Sequence, residues 1–223
     1  WYGDDHLWIV LTVASYLKET GKMELLDEVI PFYEAGKKRA DREKGTVLEH
    51  LKRSLNFTRT HLGKNKLPLL GFADWNDCMN LPLGAESSFN AGLYAKALLE
   101  MMDICETLGD TKSVKMYKGW YEDIKKAFND AAWDGKWWIR WFDKEGNAYG
   151  THKAKYGKIY CNSQSWSVMS GIAYGERAVM GMDSLNKLLN TANGVKSSTP
   201  GYRGFDGRVG GISTYPPGAK ENG

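Results

Sequence analysis

The sequence predicts an all-α domain. Apolar residues recur at helical spacing in most of the long segments, and nearly every such segment has a recognisable start or stop signal. No alternation of strand, helix and strand runs through the 223 residues. A chain of this length with 42% hydrophobic residues can bury one large core.

The first helix is read from Leu7, Val10, Leu11, Ala14 and Leu17, with Asp4 or Asp5 placed to cap its start and Gly21 after its end. Leu25, Leu26, Val29 and Ile30 predict a short second helix stopped before Pro31. Thr46 opens a third, with Glu49 three residues on as a capping box and Val47, Leu48, Leu51 and Leu55 on its apolar face; Gly63 closes it. Residues 91–108 carry Leu93, Ala97, Leu98, Met101 and Ile104 before Gly109, and residues 113–132 turn Trp120, Ile124, Ala127 and Phe128 inward. The β-prone run Trp137 to Phe142, followed by Asp143-Lys144-Glu145-Gly146-Asn147, predicts a small hairpin between helices. Helices resume over about 165–173 and 176–191. The Gly-, Pro- and Tyr-rich tail from Gly194 to Gly223 has no period and is expected to be functional loop. Helical hairpins packed into a ring would gather such connections at one end, although periodicity alone supports only the all-α class.

Composition excludes several functions. A net charge of +3, with the run Lys37-Lys38-Arg39 interrupted by Asp41 and Glu43, gives no electrostatic case for nucleic acid. No apolar run approaches the roughly 20 residues of a membrane span. Cys78, Cys105 and Cys161 are odd in number and far apart, which reads as reduced thiols in a cytoplasmic protein. Nine Trp and twelve Tyr exceed what a core of this size needs and suit a sugar-binding cleft.

The segment Gly71-Phe72-Ala73-Asp74-Trp75-Asn76-Asp77 is where chemistry concentrates. Trp75 offers a flat apolar face for a sugar ring, and Asp77 is the candidate proton donor to a glycosidic oxygen. A general acid must stay protonated at neutral pH, and Trp75 as apolar cover with Asp74 as a neighbouring charge could raise its pKa. The alternative is that either acid caps a turn, with Asp74 the better structural candidate. Tyr215-Pro216-Pro217-Gly218-Ala219-Lys220-Glu221-Asn222 is a second segment of interest, because two prolines would fix Tyr215 and Lys220 for hydroxyl recognition, or make an ordinary surface turn. Gln164 and Trp166 could line a cleft or simply pack. Asp4-Asp5-His6 reads as an acidic helix start rather than a metal site, since three consecutive residues do not share a helical face. His50, His61 and His152 support no nucleophile pair, and no phosphate loop is present. No metal or organic cofactor is expected.

Three segments in order, Asp5-His6-Leu7-Trp8, the stretch LPLLGFADWNDCMN from Leu67 to Asn80 and YPPGAKENG at the end, resemble the glycoside hydrolase family 94 phosphorylases. The resemblance runs through the whole chain. It implies an (α/α)6 barrel catalytic domain, the six-hairpin glycosidase architecture, of which 1–223 would be an incomplete part. A β-sandwich domain would precede it, and the assembly would be a homodimer at full length. It also implies inverting phosphorolysis of a β-linked disaccharide of cellobiose or chitobiose type, with inorganic phosphate as co-substrate. In these terms Asp77 is the general acid, while Trp75, Tyr215 and Lys220 contact substrate.

An inverting hydrolase would need a second carboxylate roughly 6.5–9.5 Å from the acid, whereas a phosphorylase needs one acid because phosphate is the nucleophile. The resemblance places the donor-sugar Arg and Asp before Trp1 and the phosphate-binding His beyond Gly223, so the 223 residues alone are expected to be inactive. One departure concerns substrate. Gly211 stands where cellobiose phosphorylases carry a Glu, leaving room for an N-acetyl group. The rival readings are an inverting glycoside hydrolase on the same fold and a non-catalytic carbohydrate-binding domain.

Overall fold

A computed structural model describes residues 1–223. Six helices carry it: α1 (Asp5–Thr20), α2 (Val47–Thr60), α3 (Ser88–Thr107), α4 (Thr111–Ala131), α5 (Cys161–Met169) and α6 (Gly175–Leu189). Helix α3 is central and packs against α1, α2, α4 and α5. It is buried almost all round, with apolar or small residues on every face, as a core helix must be. At Gly92 a Cβ would lie 3.0 Å from the Trp166 carbonyl carbon, so glycine lets the α5 backbone approach α3. Around α3, the amphipathic helices α2 and α4 turn Val47, Leu51 and Leu55, and Tyr117, Ile124, Ala127 and Phe128, into the 30-residue core. Trp120, expected inside, is half-buried, with the Arg59 guanidinium 5.7 Å from its ring. In α1, Val13 takes the inward place and Leu11 is half-buried.

The caps follow local chemistry. Thr46 Oγ1 accepts from Glu49 N while the Glu49 carboxylate accepts from Thr46 N, the expected capping box. That helix ends on His61 rather than Gly63. Ser87 and Asp110 cap α3 and α4, starting both a little earlier than apolar spacing suggested. Asp4 occupies the cap position of α1, but its carboxylate accepts the Trp8 indole N–H at 2.8 Å instead of capping.

The expected helix over Leu25 to Ile30 is absent. A short 3-10 turn (Met23–Asp27) is followed by β1 (Val29–Pro31), which pairs antiparallel with β2 (Lys44–Thr46). Two β-branched residues directly before a proline favour extended backbone, and the strand partner completes the choice.

The hairpin is present and gains a strand. β3 (Glu86–Ser87), β4 (Trp141–Phe142) and β5 (Ala148–Tyr149) form one antiparallel sheet, with the turn held by Asp143 Oδ1 accepting from Asn147 N at 2.8 Å. This sheet joins the start of α3 to Arg140, whose carbonyl accepts from Ser88 N. Beyond it, β6 (Ile159–Tyr160) precedes α5, β7 (Asn190–Thr191) and β8 (Gly194–Val195) make a small hairpin after α6, and β9 (Ser198–Thr199) pairs with β6. The tail is otherwise loop, with one 3-10 turn over Gly210–Thr214. No helix is long and apolar enough to cross a membrane.

Candidate active site

The loop between α2 and α3 is pinned by the N-terminal strand-like segment. Gly3 N donates to Ala73 O and Phe72 N to Trp1 O, at 2.8 and 2.9 Å. A Cβ at Gly3 would fall 2.4 Å from Asn90 Nδ2 and 2.5 Å from Leu70 O, so no other residue fits. Along Asp74-Trp75-Asn76-Asp77 the side chains then alternate. Asp74 and Asn76 are buried, Trp75 is 49% exposed and Asp77 is exposed. Asn76 N donates to Asp74 Oδ1 and Cys78 N to Asn76 Oδ1, two successive Asx turns that lock this inside-outside pattern.

Asp74 is held by Arg140. Both guanidinium ends bond its carboxylate, at 2.5 and 2.6 Å, and Ser87 Oγ donates to it at 2.6 Å. Arg140 itself lies 3.8 Å over the Trp141 ring. Of the two roles expected for Asp74, the structural one is what the geometry shows, since its carboxylate is engaged by Arg140 and Ser87. No sequence pattern pointed to Arg140, which lies 66 positions away.

The C-terminal tail folds onto the same loop. Ile212 N donates to Cys78 O at 2.6 Å, and Cys78 Sγ donates to Glu221 Oε2 at 3.1 Å. Burial and the Glu221 carboxylate push the Cys78 thiol pKa up, opposed by Tyr215 and the Lys220 charge, so the tail's polar groups converge beside the residue that follows Asp77. Lys220 Nζ sits 4.6 Å over the Tyr215 ring. Asn222 clamps the arrangement from below: its Oδ1 accepts from Tyr202 N, and its Nδ2 donates to the carbonyls of Tyr202 and Tyr215.

Gly211 faces this loop. A Cβ there would stand 3.2 Å from Asn80 Oδ1 and 3.4 Å from Cys78 O, so a larger residue would press on the end of the acid-bearing segment. Gln164 is elsewhere. It is fully buried, its Oε1 accepts from Trp138 N, and its Nε2 donates to Trp138 O and Tyr160 O. Its amide is used up bridging backbone, so of the two readings, lining a cleft or packing, Gln164 takes the second and is not placed to bind substrate. Trp166, by contrast, does line a cleft.

That cleft, of about 440 Å³, is walled by Trp8, Trp75, Phe89 and Trp166, with Asn162, Ser165 and Lys196 among its polar groups. Trp8 and Trp166 meet edge to face at 5.3 Å. The Asn162 side-chain oxygen is buried without a partner, an acceptor that the sequence did not single out. Near the cleft, burial, reinforced by the charges of Asp74 and Asp5, raises the Asp4 pKa to about 6 against the Trp8 hydrogen bond.

Comparison with known proteins bears on this arrangement. A family model described as the glycosyl hydrolase 94 superfamily, catalytic domain, matches residues 1–223. The chain is 32% identical to an N,N'-diacetylchitobiose phosphorylase of Vibrio proteolyticus, over 99% of this chain and 27% of the relative. It is 33% identical to a solabiose phosphorylase of Paenibacillus borealis, over 100% of this chain and 28% of the relative. A third relative from the same organism, 31% identical over 99% of this chain and 28% of its own length, is a 3-O-beta-D-glucopyranosyl-beta-D-glucuronide phosphorylase. The chain thus spans little more than a quarter of the length of these relatives. Among solved structures, a GH78 family rhamnosidase of Bacillus sp. GL1 superposes with a TM-score of 0.59 over 80% of this chain and 17% of its own, at 14% identity. That likeness concerns the fold alone.

Proposed function

This chain belongs to the glycosyl hydrolase 94 superfamily, and on that premise we propose that it takes part in the inverting phosphorolysis of a β-linked disaccharide, as part of an (α/α)6 barrel. The observation that carries the reading is the alternation in the acid-bearing loop. Asp74 and Asn76 are spent on holding the backbone, which leaves Trp75 and Asp77 exposed, while the tail residues Tyr215 and Lys220 act on Cys78, the next residue along.

The chemistry follows from that division. Asp77 gives its proton to the glycosidic oxygen as the bond to the anomeric carbon breaks. A phosphate oxygen attacks that carbon from the opposite face. The products are a sugar α-1-phosphate and a free sugar, and Asp77 is left as a carboxylate. Trp75 supplies the apolar cover, and Tyr215 and Lys220 bind saccharide hydroxyls.

A hydrolase would need a second carboxylate opposite Asp77. Glu221 is the tail acid that reaches this loop, and its carboxylate accepts the Cys78 thiol. Phosphorolysis is the better reading because the named relatives at 31–33% identity are phosphorylases. The relatives, at 31–33% identity, bear the names of three different disaccharide phosphorylases, so overall similarity does not select the sugar. Gly211 favours the chitobiose type only through the lack of a carboxylate there, because Asn80 and the Cys78 backbone already close around the position, with Asn80 Oδ1 3.2 Å from where a Cβ would stand.

The test is a panel of β-linked disaccharides given to the whole protein with and without phosphate, and the reverse reaction with glucose 1-phosphate or N-acetylglucosamine 1-phosphate as donor. Cleavage that requires phosphate supports the proposal, and preference for the N-acetylated donor supports the role given to Gly211. Phosphate-independent cleavage would show a hydrolase instead.

A further inference from the structure

On α3, Phe89 faces the aromatic cleft, and Tyr94, five residues on, stands about 140° around the helix axis. Tyr94 lines a different cavity of about 720 Å³, enclosed by the end of α2, the turn after it and α4. The cavity shares no lining residue with the cleft.

Its polar groups are unequally used. Arg59 bonds Asp123 at 2.8 Å and Lys126 bonds Asp130 at 2.5 Å, so those charges balance within the wall. Lys64 and Lys66 form no ion pair. The turn that displays them is held from inside. Glu86 accepts from Asn65 N and Leu67 N with one carboxylate oxygen and from Asn65 Nδ2 with the other. The two ammonium groups are thus mounted on a supported turn, and the nearby Glu86 charge is already engaged.

The wall supplies the second observation. Tyr94 is 1% exposed, and its hydroxyl is buried with no hydrogen-bond partner. Tyr94 lines the cavity together with Arg59 and Asp123, so this hydroxyl belongs to its wall. A buried hydroxyl without a partner is a cost to the fold that a bound polar group would remove. Beside it, Ile124 and Ala127 offer an apolar surface.

We propose that this cavity is a second ligand site, which binds a sugar phosphate. The phosphate lies on Lys64 and Lys66, the ring lies along the apolar wall, and a sugar hydroxyl meets the hydroxyl of Tyr94. A lone phosphate would use the lysines and leave Tyr94 unsatisfied, and a neutral sugar would leave the lysines unused. The combination of rim charge, apolar wall and buried hydroxyl selects the ester.

Calorimetric titration of the whole protein with glucose 6-phosphate, inorganic phosphate and glucose tests this. Glucose 6-phosphate is expected to bind, and to bind at least about tenfold more weakly to the Lys64→Ala/Lys66→Ala double variant. Tyr94→Phe, which keeps the ring and removes only the unpartnered hydroxyl, should melt no lower than the parent yet bind the ester more weakly. Equal affinity in parent and double variant, or no binding at all, overturns the site. Inorganic phosphate binding as tightly as the ester, with Tyr94→Phe unaffected, overturns the sugar part. Phosphorolysis by these variants is measured separately, so failure here leaves the reading of the Asp77 loop standing on its own test.

Discussion

Arg140 and Asp74 form a bidentate ion pair with side chains 1% and 0% exposed, and this pair holds the acid-bearing loop against the sheet that starts α3. Removing one partner from a buried pair leaves an uncompensated charge, which costs about 3–5 kcal/mol. Asp74→Asn is expected to lower the melting temperature sharply and to lose activity together with fold. Asp77→Asn, at an exposed position, is expected to leave the melting temperature unchanged. Thermal melts of the two variants side by side check the division of roles.

A second prediction concerns pH, through two neighbours at the start of α1. Burial raises the Asp4 pKa from 3.8 to about 6, with the Asp74 and Asp5 charges adding to it. Burial lowers the His6 pKa from 6.5 to about 4, with His61 adding to it. A raised carboxyl keeps its full stability below its unfolded pKa and loses it as pH climbs through about 6. A lowered histidine keeps its full stability above 6.5 and loses it as pH falls toward 4. Between about 4 and 6 the two slopes oppose each other, and the contributions of Asp4 and His6 are expected to offset one another in the parent protein. Asp4→Asn should therefore gain stability as pH rises across that window, and His6→Gln should lose it, each by on the order of 1 kcal/mol after solvent screening. Denaturant midpoints at several pH values decide it. Parallel pH profiles in the two variants would contradict the assignment.

Gln164 supports a third prediction. Its amide serves both the N–H and the C=O of Trp138, so Gln164→Ala leaves two buried backbone groups unpaired, at about 1–3 kcal/mol each. The variant should unfold at lower denaturant while its folded fraction keeps the parent KM. A raised KM at unchanged stability would restore Gln164 to the substrate site.

Much of the fold was legible because its signals are local. The capping box of Thr46 and Glu49 lies within one turn of helix, and the hairpin after Trp137 announces itself through β-prone residues and the Asp143-to-Asn147 turn. The segment from Leu25 to Ile30 misled because its apolar spacing suits a helix, while pairing with Lys44–Thr46, a partner outside the segment, decides for a strand. The same limit governs the site. Trp75 and Asp77 stood out by type, but that Asp74 is spent on Arg140, and that the tail docks on Cys78, depends on contacts 66 and 143 positions apart. Gln164 lies close to the cleft residue Trp166, yet only the packing of Trp138 against it shows that its amide is occupied.

The central claim is that Asp77 donates the proton in a phosphate-dependent cleavage. The most direct measurement is the turnover number of the whole protein carrying Asp77→Asn, on its preferred disaccharide at saturating phosphate, with saccharide binding measured in parallel. Loss of a general acid predicts a kcat lower by about 10²–10⁴-fold with saccharide affinity retained. A kcat within a few-fold of the parent would contradict the account.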